Sequence, residues 1–258
     1  MSESAAAAEE PGLLVTLSEL YRLLRLTLRC SLEGGLERGS VLRQMYEIGN
    51  RSLVFLCIVM GFMGMILTYQ AGLQTQRVVP DLSQLGATFL QLLVRDLAAS
   101  ICALMLATRV GAGIAAEIGS MVVTEQVDAL HMCGADPIKH LVCPRFLASV
   151  GMFSMLVVLA ACVAVATGTW TASAFFGLNP RTFLNLSLLS SADVIIGLTK
   201  CIAYGATIPI ISAHAGLTAF GGSEGVGSAT TRAVVGSSLA VIVLNFVISG
   251  SGYLIFGS

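Results

Sequence analysis

Charge is what this chain has least of. Its 258 residues include 14 Lys and Arg and 15 Asp and Glu, 11% in all, whereas a soluble domain carries about a quarter. Hydrophobic residues make up 55% and mean hydropathy is +0.85. So few charges cannot cover a water-facing surface, so lipid must cover most of it. Other absences exclude chemistry. No glycine loop of the phosphate-cradling kind is present, so the chain offers no ATP site of its own. The seven cysteines and three histidines show no ligand spacing, which argues against a metal centre. Cys57, Cys102, Cys162 and Cys201 fall in apolar runs and Cys30, Cys133 and Cys143 outside them, so they read as small fillers and no disulfide is expected. The N-terminus has no basic start followed by an apolar core, so no cleavable signal sequence is expected.

What is present is a series of long apolar runs. Ser52 to Gln76, Phe146 to Pro180 and Ala233 to Ser258 carry no charge, and each exceeds the roughly 20 residues that cross a hydrocarbon core as helix. Leu82 to Thr108 is broken only by Arg95 and Asp96, and Asp193 to Leu217, after its first residue, only by the basic residues Lys200 and His214. The runs are continuous and not alternating, which favours helices over a barrel. The expected fold is an all-α membrane protein with five transmembrane helices, preceded by an N-terminal interfacial helix.

Charge distribution sets the expected orientation. Arg22, Arg25, Arg29, Arg38, Arg43 and Arg51 precede the first span, and Lys139 lies in the stretch between the second and third, while the segments near Arg77 and Arg181 are poor in cations. By the positive-inside rule the N-terminus and the second-to-third connection are cytoplasmic. Residues 1–12 are expected to be disordered, and residues 13–50 to form an amphipathic helix and connector before a transmembrane domain over 51–258. Leu13, Leu17, Leu20, Tyr21, Leu24 and Leu28 share a face beside Arg22, Arg25 and Arg29, as in a helix lying in the interface with arginines at lipid phosphates or packed on another protein. Glu33-Gly34-Gly35 should end it. In the first span Gly61 and Gly64 are spaced for close helix approach, and Gly216 to Arg232 reads as a flexible loop.

The polar stretch Arg109 to Arg145 holds four of the acidic residues between two apolar runs. Glu117 to Leu130 is expected to form a short cytoplasmic helix with Glu117, Met121, Glu125 and Asp128 on one face and Val123, Val127 and Leu130 on another. Such a helix suits docking in a partner's groove, or stands as a solvated loop helix. Asp136-Pro137 begins a new element, and Pro144-Arg145 opens the third span with a cation at the membrane boundary.

Arg95 and Asp96 lie where a charge costs roughly 2.5–3.5 kcal/mol on insertion scales. Neighbours on a helix point about 100° apart, so they do not neutralise each other, and each needs a cavity or a partner on another helix. Lys200 is the candidate for Asp96. The arrangement fits either a lipid-headgroup contact or a structural ion pair. Lys200 likewise fits an anionic headgroup, snorkelling or pairing.

The string Ala115-Ala116-Glu117-Ile118-Gly119-Ser120-Met121-Val122-Val123-Thr124-Glu125-Gln126-Val127-Asp128-Ala129-Leu130, followed by Gly134-Ala135-Asp136-Pro137 and Pro144-Arg145, closely resembles the signature of the MlaE/YrbE permease family. Ser228-Ala229-Thr230-Thr231-Arg232-Ala233-Val234-Val235 is similar to that family's block before the last span. The resemblance implies a homodimeric, non-catalytic permease of an ABC transporter in a bacterial inner membrane. Phospholipid or a related lipid would be the substrate, with a cytoplasmic ATPase dimer beneath and a periplasmic MCE-domain oligomer above. It implies no cofactor in this chain, ATP and Mg belonging to the ATPase, and no nucleic acid. Glu117, Met121, Glu125, Gln126 and Asp128 would belong to the coupling helix gripped by the ATPase. Met65, Ile66, Leu67, Tyr69 and Gln70 match the part of the first span that lines the lipid pocket, with Asn245 and Phe246 facing them from the last span. The family's Arg-Glu-Leu-Gly-Pro stands here as Arg95-Asp96-Leu97-Ala98-Ala99, so no bend of the Gly-Pro kind is expected. Two other classes remain: an ion-coupled secondary transporter relaying through Arg95, Asp96 and Lys200, against which the lack of an inverted repeat counts, and a non-transporting membrane anchor or scaffold.

Overall fold

A computed structural model describes residues 13–33, 38–78, 85–185 and 189–256, and among these the chain is helical throughout, with no strand. The expected disorder over 1–12 and the Gly34-Gly35 break lie outside the described residues. Helix α1 (Leu13–Glu33) is followed by α2 (Arg38–Val78). A second rod, α3 (Leu85–Val123), contains π-helical turns at Leu93–Leu97 and Ala107–Gly111. Short α4 (Gln126–Met132) leads to α5 (Ile138–Phe176), whose first turn is also π-helical. One-turn α6 (Pro180–Phe183), α7 (Ser191–Leu217) and α8 (Gly222–Phe256) complete the chain. Five of these, α2, α3, α5, α7 and α8, are long and apolar enough to span a bilayer. At 1.5 Å per residue α2, with 41 residues, reaches about 60 Å, twice a hydrocarbon core, and it runs unbroken through residues 50 and 51.

The most extensive interface joins α2 and α5, which run parallel. Small residues make it possible. A Cβ on Gly64 would overlap the carbonyl oxygen of Ala164, and one on Gly168 would lie 2.8 Å from Thr68 Oγ1. Backbone thus meets backbone where lipid supplies no hydrophobic drive and dispersion must hold the helices together. Helix α7 is wedged among the others, half of its apolar window buried, whereas α8 buries only 17% of its own. Leu239, Ile242, Val243, Phe246 and Leu254 all face outward from α8.

Two local readings of the sequence are corrected. The span from Gly216 to Arg232 is not a flexible loop. Helix α7 continues to Leu217 and α8 begins at Gly222, leaving a tight turn with Gly221 at φ 94° and Gly222 at φ 73°. Hydroxyls expected to solvate a loop bond their own helix instead: Ser228 Oγ donates to Gly225 O at 3.0 Å and Thr230 Oγ1 to Gly227 O at 2.6 Å. Arg232 closes the turn by donating to Thr218 O at 3.3 Å. On α1 the apolar stripe splits. Leu23 and Thr27 turn inward onto α5 and α7, with Leu20 and Leu24 half-buried, while Leu17, Tyr21 and Leu28 are exposed beside exposed Arg22, Arg25 and Arg29. A surface helix that also packs on protein needs two apolar faces, and a single-stripe reading sees one. The side chain of Leu13 lies outside the described residues.

Replacing Gly64 with Val should force α2 and α5 apart and lower stability by about 1–3 kcal/mol, the usual cost of overpacking. Gly113, with nothing within 4 Å of a Cβ, should accept Ala with no loss. Thermal unfolding of the two variants in detergent reads the difference.

Candidate functional site

Halfway along the bundle the π turn Leu93–Leu97 brings the backbone of α3 against α7. There Gly197 has no Cβ, and one would lie 2.5 Å from Val94 O. A wide turn of this sort re-aims the side chains it contains and is concentrated at functional places. Arg95 Nη1 donates to Asp193 Oδ1 at 3.5 Å. Asp193, 2% exposed, also accepts from Gln91 Nε2 at 3.4 Å and from Ser190 N at 3.1 Å through Oδ2. The last contact closes a capping box at the start of α7. Asp96 takes the other direction and pairs with Lys200 Nζ, which also donates to Ser249 Oγ at 2.7 Å on α8. One turn further along α7, Tyr204 Oη donates to Asn245 Oδ1 at 3.2 Å.

The two halves of this network are unlike. Lys200 has no exposure, but the side chains of Arg95 and Asp96 are 31% and 42% exposed. Both carry a flank that opens off the bundle inside a membrane-spanning segment. A charge there must meet water, a headgroup or another protein surface. Of the residues assigned to a substrate chamber, Arg95, Asp96, Lys200 and Asn245 are brought together by this network.

The first-span residues are not. Ile66, Tyr69 and Gln70 are exposed on α2 and Met65 and Leu67 half-buried, with Tyr69 stacked edge-on against Phe175 of α5, centroids 5.3 Å apart. Phe246 is 81% exposed on α8. Helix α2 packs on α5 while α8 packs on α7 and α3. The expected facing of first and last spans is therefore not made within this chain, because α3 touches both. An open groove of about 230 Å³ lies between α3 and α8, lined by Ala112, Thr230, Thr231, Val234 and Val235. Asp193, Gln91, Tyr204 and Ser249 were not singled out by sequence. Only the Ser190-x-x-Asp193 capping pattern offered a signal.

At the polar end of the bundle the single helix expected over Glu117 to Leu130 is broken in two. Val122, Val123 and Thr124 are β-branched, a run that weakens a helix, and Thr124 Oγ1 bonds back to Ser120 O at 2.8 Å. Glu125 then adopts the left-handed conformation at φ 59°, which is costly for a residue with a Cβ. The consequence is that the acidic stripe does not exist as one face. Glu117 and Met121 belong to α3, Glu125 is the joint, and Gln126 and Asp128 lie on α4. Glu117 points sideways to Arg145 Nη2 of α5 at 2.6 Å. Helix α4 has no buried residue. Met132 is 89% exposed, and so is Phe220, at 91%, in the turn between α7 and α8. On the same side, His214 Nε2 lies 2.9 Å from Glu19 Oε2 and ties α7 to α1.

Removing one member of the buried pair tests its energetics. Asp96→Ala leaves Lys200 with only the Ser249 hydroxyl and should cost about 3–5 kcal/mol, whereas Asp96→Ala/Lys200→Met should recover most of the loss. Denaturant unfolding of single and double variants in detergent measures both.

Comparison with known proteins follows the same lines. The family profile described as Permease MlaE matches residues 41–250. The chain is 39% identical over 220 residues to a probable ABC transporter permease protein of Synechocystis, covering 84% of this chain and 83% of that one. It is 31% identical over 224 residues to the intermembrane phospholipid transport system permease protein MlaE of Haemophilus influenzae, covering 84% and 83%. To the chloroplastic protein TRIGALACTOSYLDIACYLGLYCEROL 1 of Arabidopsis thaliana it is 32% identical over 220 residues, 84% of this chain and 63% of that one. A multi-pass helical membrane protein matched over most of its length in this way belongs to the MlaE permease family.

Proposed function

We propose that the chain is the membrane-spanning subunit of an ATP-driven lipid transporter, acting as a homodimer. A cytoplasmic ATPase pair would bind its polar end and an MCE-domain oligomer its opposite end, and phospholipid or a related lipid would be the cargo. The polar end then faces the cytoplasm of a bacterial inner membrane, in keeping with the six arginines of residues 22–51. No catalytic group is needed in this chain, since ATP and Mg act on the ATPase.

The observation that carries this reading is the pairing of two unfinished surfaces. Helix α4 stands clear of the bundle with nothing buried, as an element seated in a partner's groove would in the free subunit. Its Asp128 and the joint residue Glu125 offer anionic contacts, and Met132 an apolar one. Meanwhile α8 presents an apolar face from Leu239 to Leu254, and Arg95 and Asp96 open outward. A second copy would supply the missing wall of a chamber in which the guanidinium of Arg95 can meet a lipid phosphate and the apolar residues of α2 and α8 the acyl chains. Alternating closure of the ATPases would move α3 and α5, the two rods attached to the α4 hairpin.

Glu125→Lys and Asp128→Lys should reduce ATP-dependent lipid transfer by at least about tenfold in the reconstituted complex. Glu125→Gly, which relieves the left-handed backbone, should separate loss of charge from loss of shape. Mass spectrometry of lipid co-purified with the complex identifies the cargo. Full transport by the lysine variants, or transport driven by an ion gradient with no ATPase present, would sink the proposal.

A further inference from the structure

The hairpin that carries α4 is held chiefly at its roots. Its joints are two left-handed residues, Glu125 at φ 59° and Gly134 at φ 72°. They are closed by local backbone bonds: Glu125 N to Val122 O, Gly134 N to His131 O and Ala135 N to Leu130 O, each 3.0 Å. No residue of α4 is buried against the bundle. Eight residues before the first joint and eleven after the second, however, Glu117 of α3 and Arg145 of α5 meet at 2.6 Å. The Arg145 side chain is 5% exposed, and its Nη1 donates to Leu141 O at 3.1 Å, inside the π turn that opens α5.

We infer that the Glu117–Arg145 pair is the clasp that makes α3 and α5 move as one body when the hairpin is displaced. This rests on the reading of α4 as the ATPase contact and adds to it the route by which the stroke enters the membrane. Without a clasp, a force on α4 would flex the two left-handed joints and be dissipated there. With it, the roots are cross-linked by a charge-assisted contact that is short and shielded on the arginine side, which surface ion pairs are not. Because Arg145 also holds the carbonyl of Leu141, the clasp extends into the wide first turn of α5. Glu117 and Arg145 are positioning residues in this scheme, since neither needs to touch lipid or nucleotide.

The test uses the full complex with its ATPase in lipid nanodiscs, measuring ATP hydrolysis and lipid transfer in parallel. Glu117→Gln removes the charge but keeps the shape of a half-exposed side chain. Its complex should assemble and hydrolyse ATP, with lipid moved per ATP falling at least about fivefold. Glu117→Asp, which keeps the charge on a shorter arm, should fall between the two. An unchanged ratio in Glu117→Gln overturns the clasp while leaving the ATPase contact intact. Failure of Glu117→Gln to assemble overturns it as well, because the pair would then build the fold and not transmit through it. Failure of the underlying reading shows separately, as full coupling in Glu125→Lys and Asp128→Lys.

Discussion

Lys200 is the residue on which the middle of this bundle depends. It is an ammonium without exposure inside an apolar slab, and its charge must be met by protein groups because lipid tails offer none. Asp96 and Ser249 supply its partners from α3 and α8, so one side chain of α7 joins three spans. The cost of an unpaired charge makes this geometry close to compulsory. It also explains why α3 leaves ideal helix where it does: the π turn Leu93–Leu97 aims Arg95 at Asp193 and Asp96 at Lys200 from adjacent positions.

Around that fixed point the helices are joined by shape. Parallel α2 and α5 touch backbone to backbone at Gly64 and backbone to side chain where Gly168 meets Thr68, and α3 touches α7 where Gly197 admits Val94 O. Such contacts gain dispersion over a long seam and make the pair α2–α5 a stiff unit. The opposite condition holds for α8 and α4. One leaves most of its apolar face outward, and the other has no buried residue. The chain thus divides into a closely packed interior and two edges, α8 and α4, that it leaves largely uncovered.

Much of the architecture was legible in the sequence because hydrophobic run length is a local property. The five spans, the amphipathic first helix and the acidic stretch between the second and third spans follow from composition alone, and the motif from Ala115 to Arg145 carried the family. The Asp96–Lys200 pairing was also within reach, since an acid inside an apolar span has few bases to choose from in a chain this poor in charge. The break at Glu125 was not. Wheel geometry treats Glu117 to Leu130 as one helix, whereas Val122, Val123 and Thr124 weaken it and Arg145, far along the chain, draws Glu117 away.

The sequence by itself determined that this chain lives in lipid, how many times it crosses and which stretch stays polar, because these depend on how many apolar residues lie consecutively. Only the tertiary structure decided which helices touch, that α3 separates the first span from the last, and that Arg95 and Asp96 take different partners. Those outcomes depend on where a π turn rotates a side chain and where a missing Cβ lets two backbones meet, and neither is a property of any single segment.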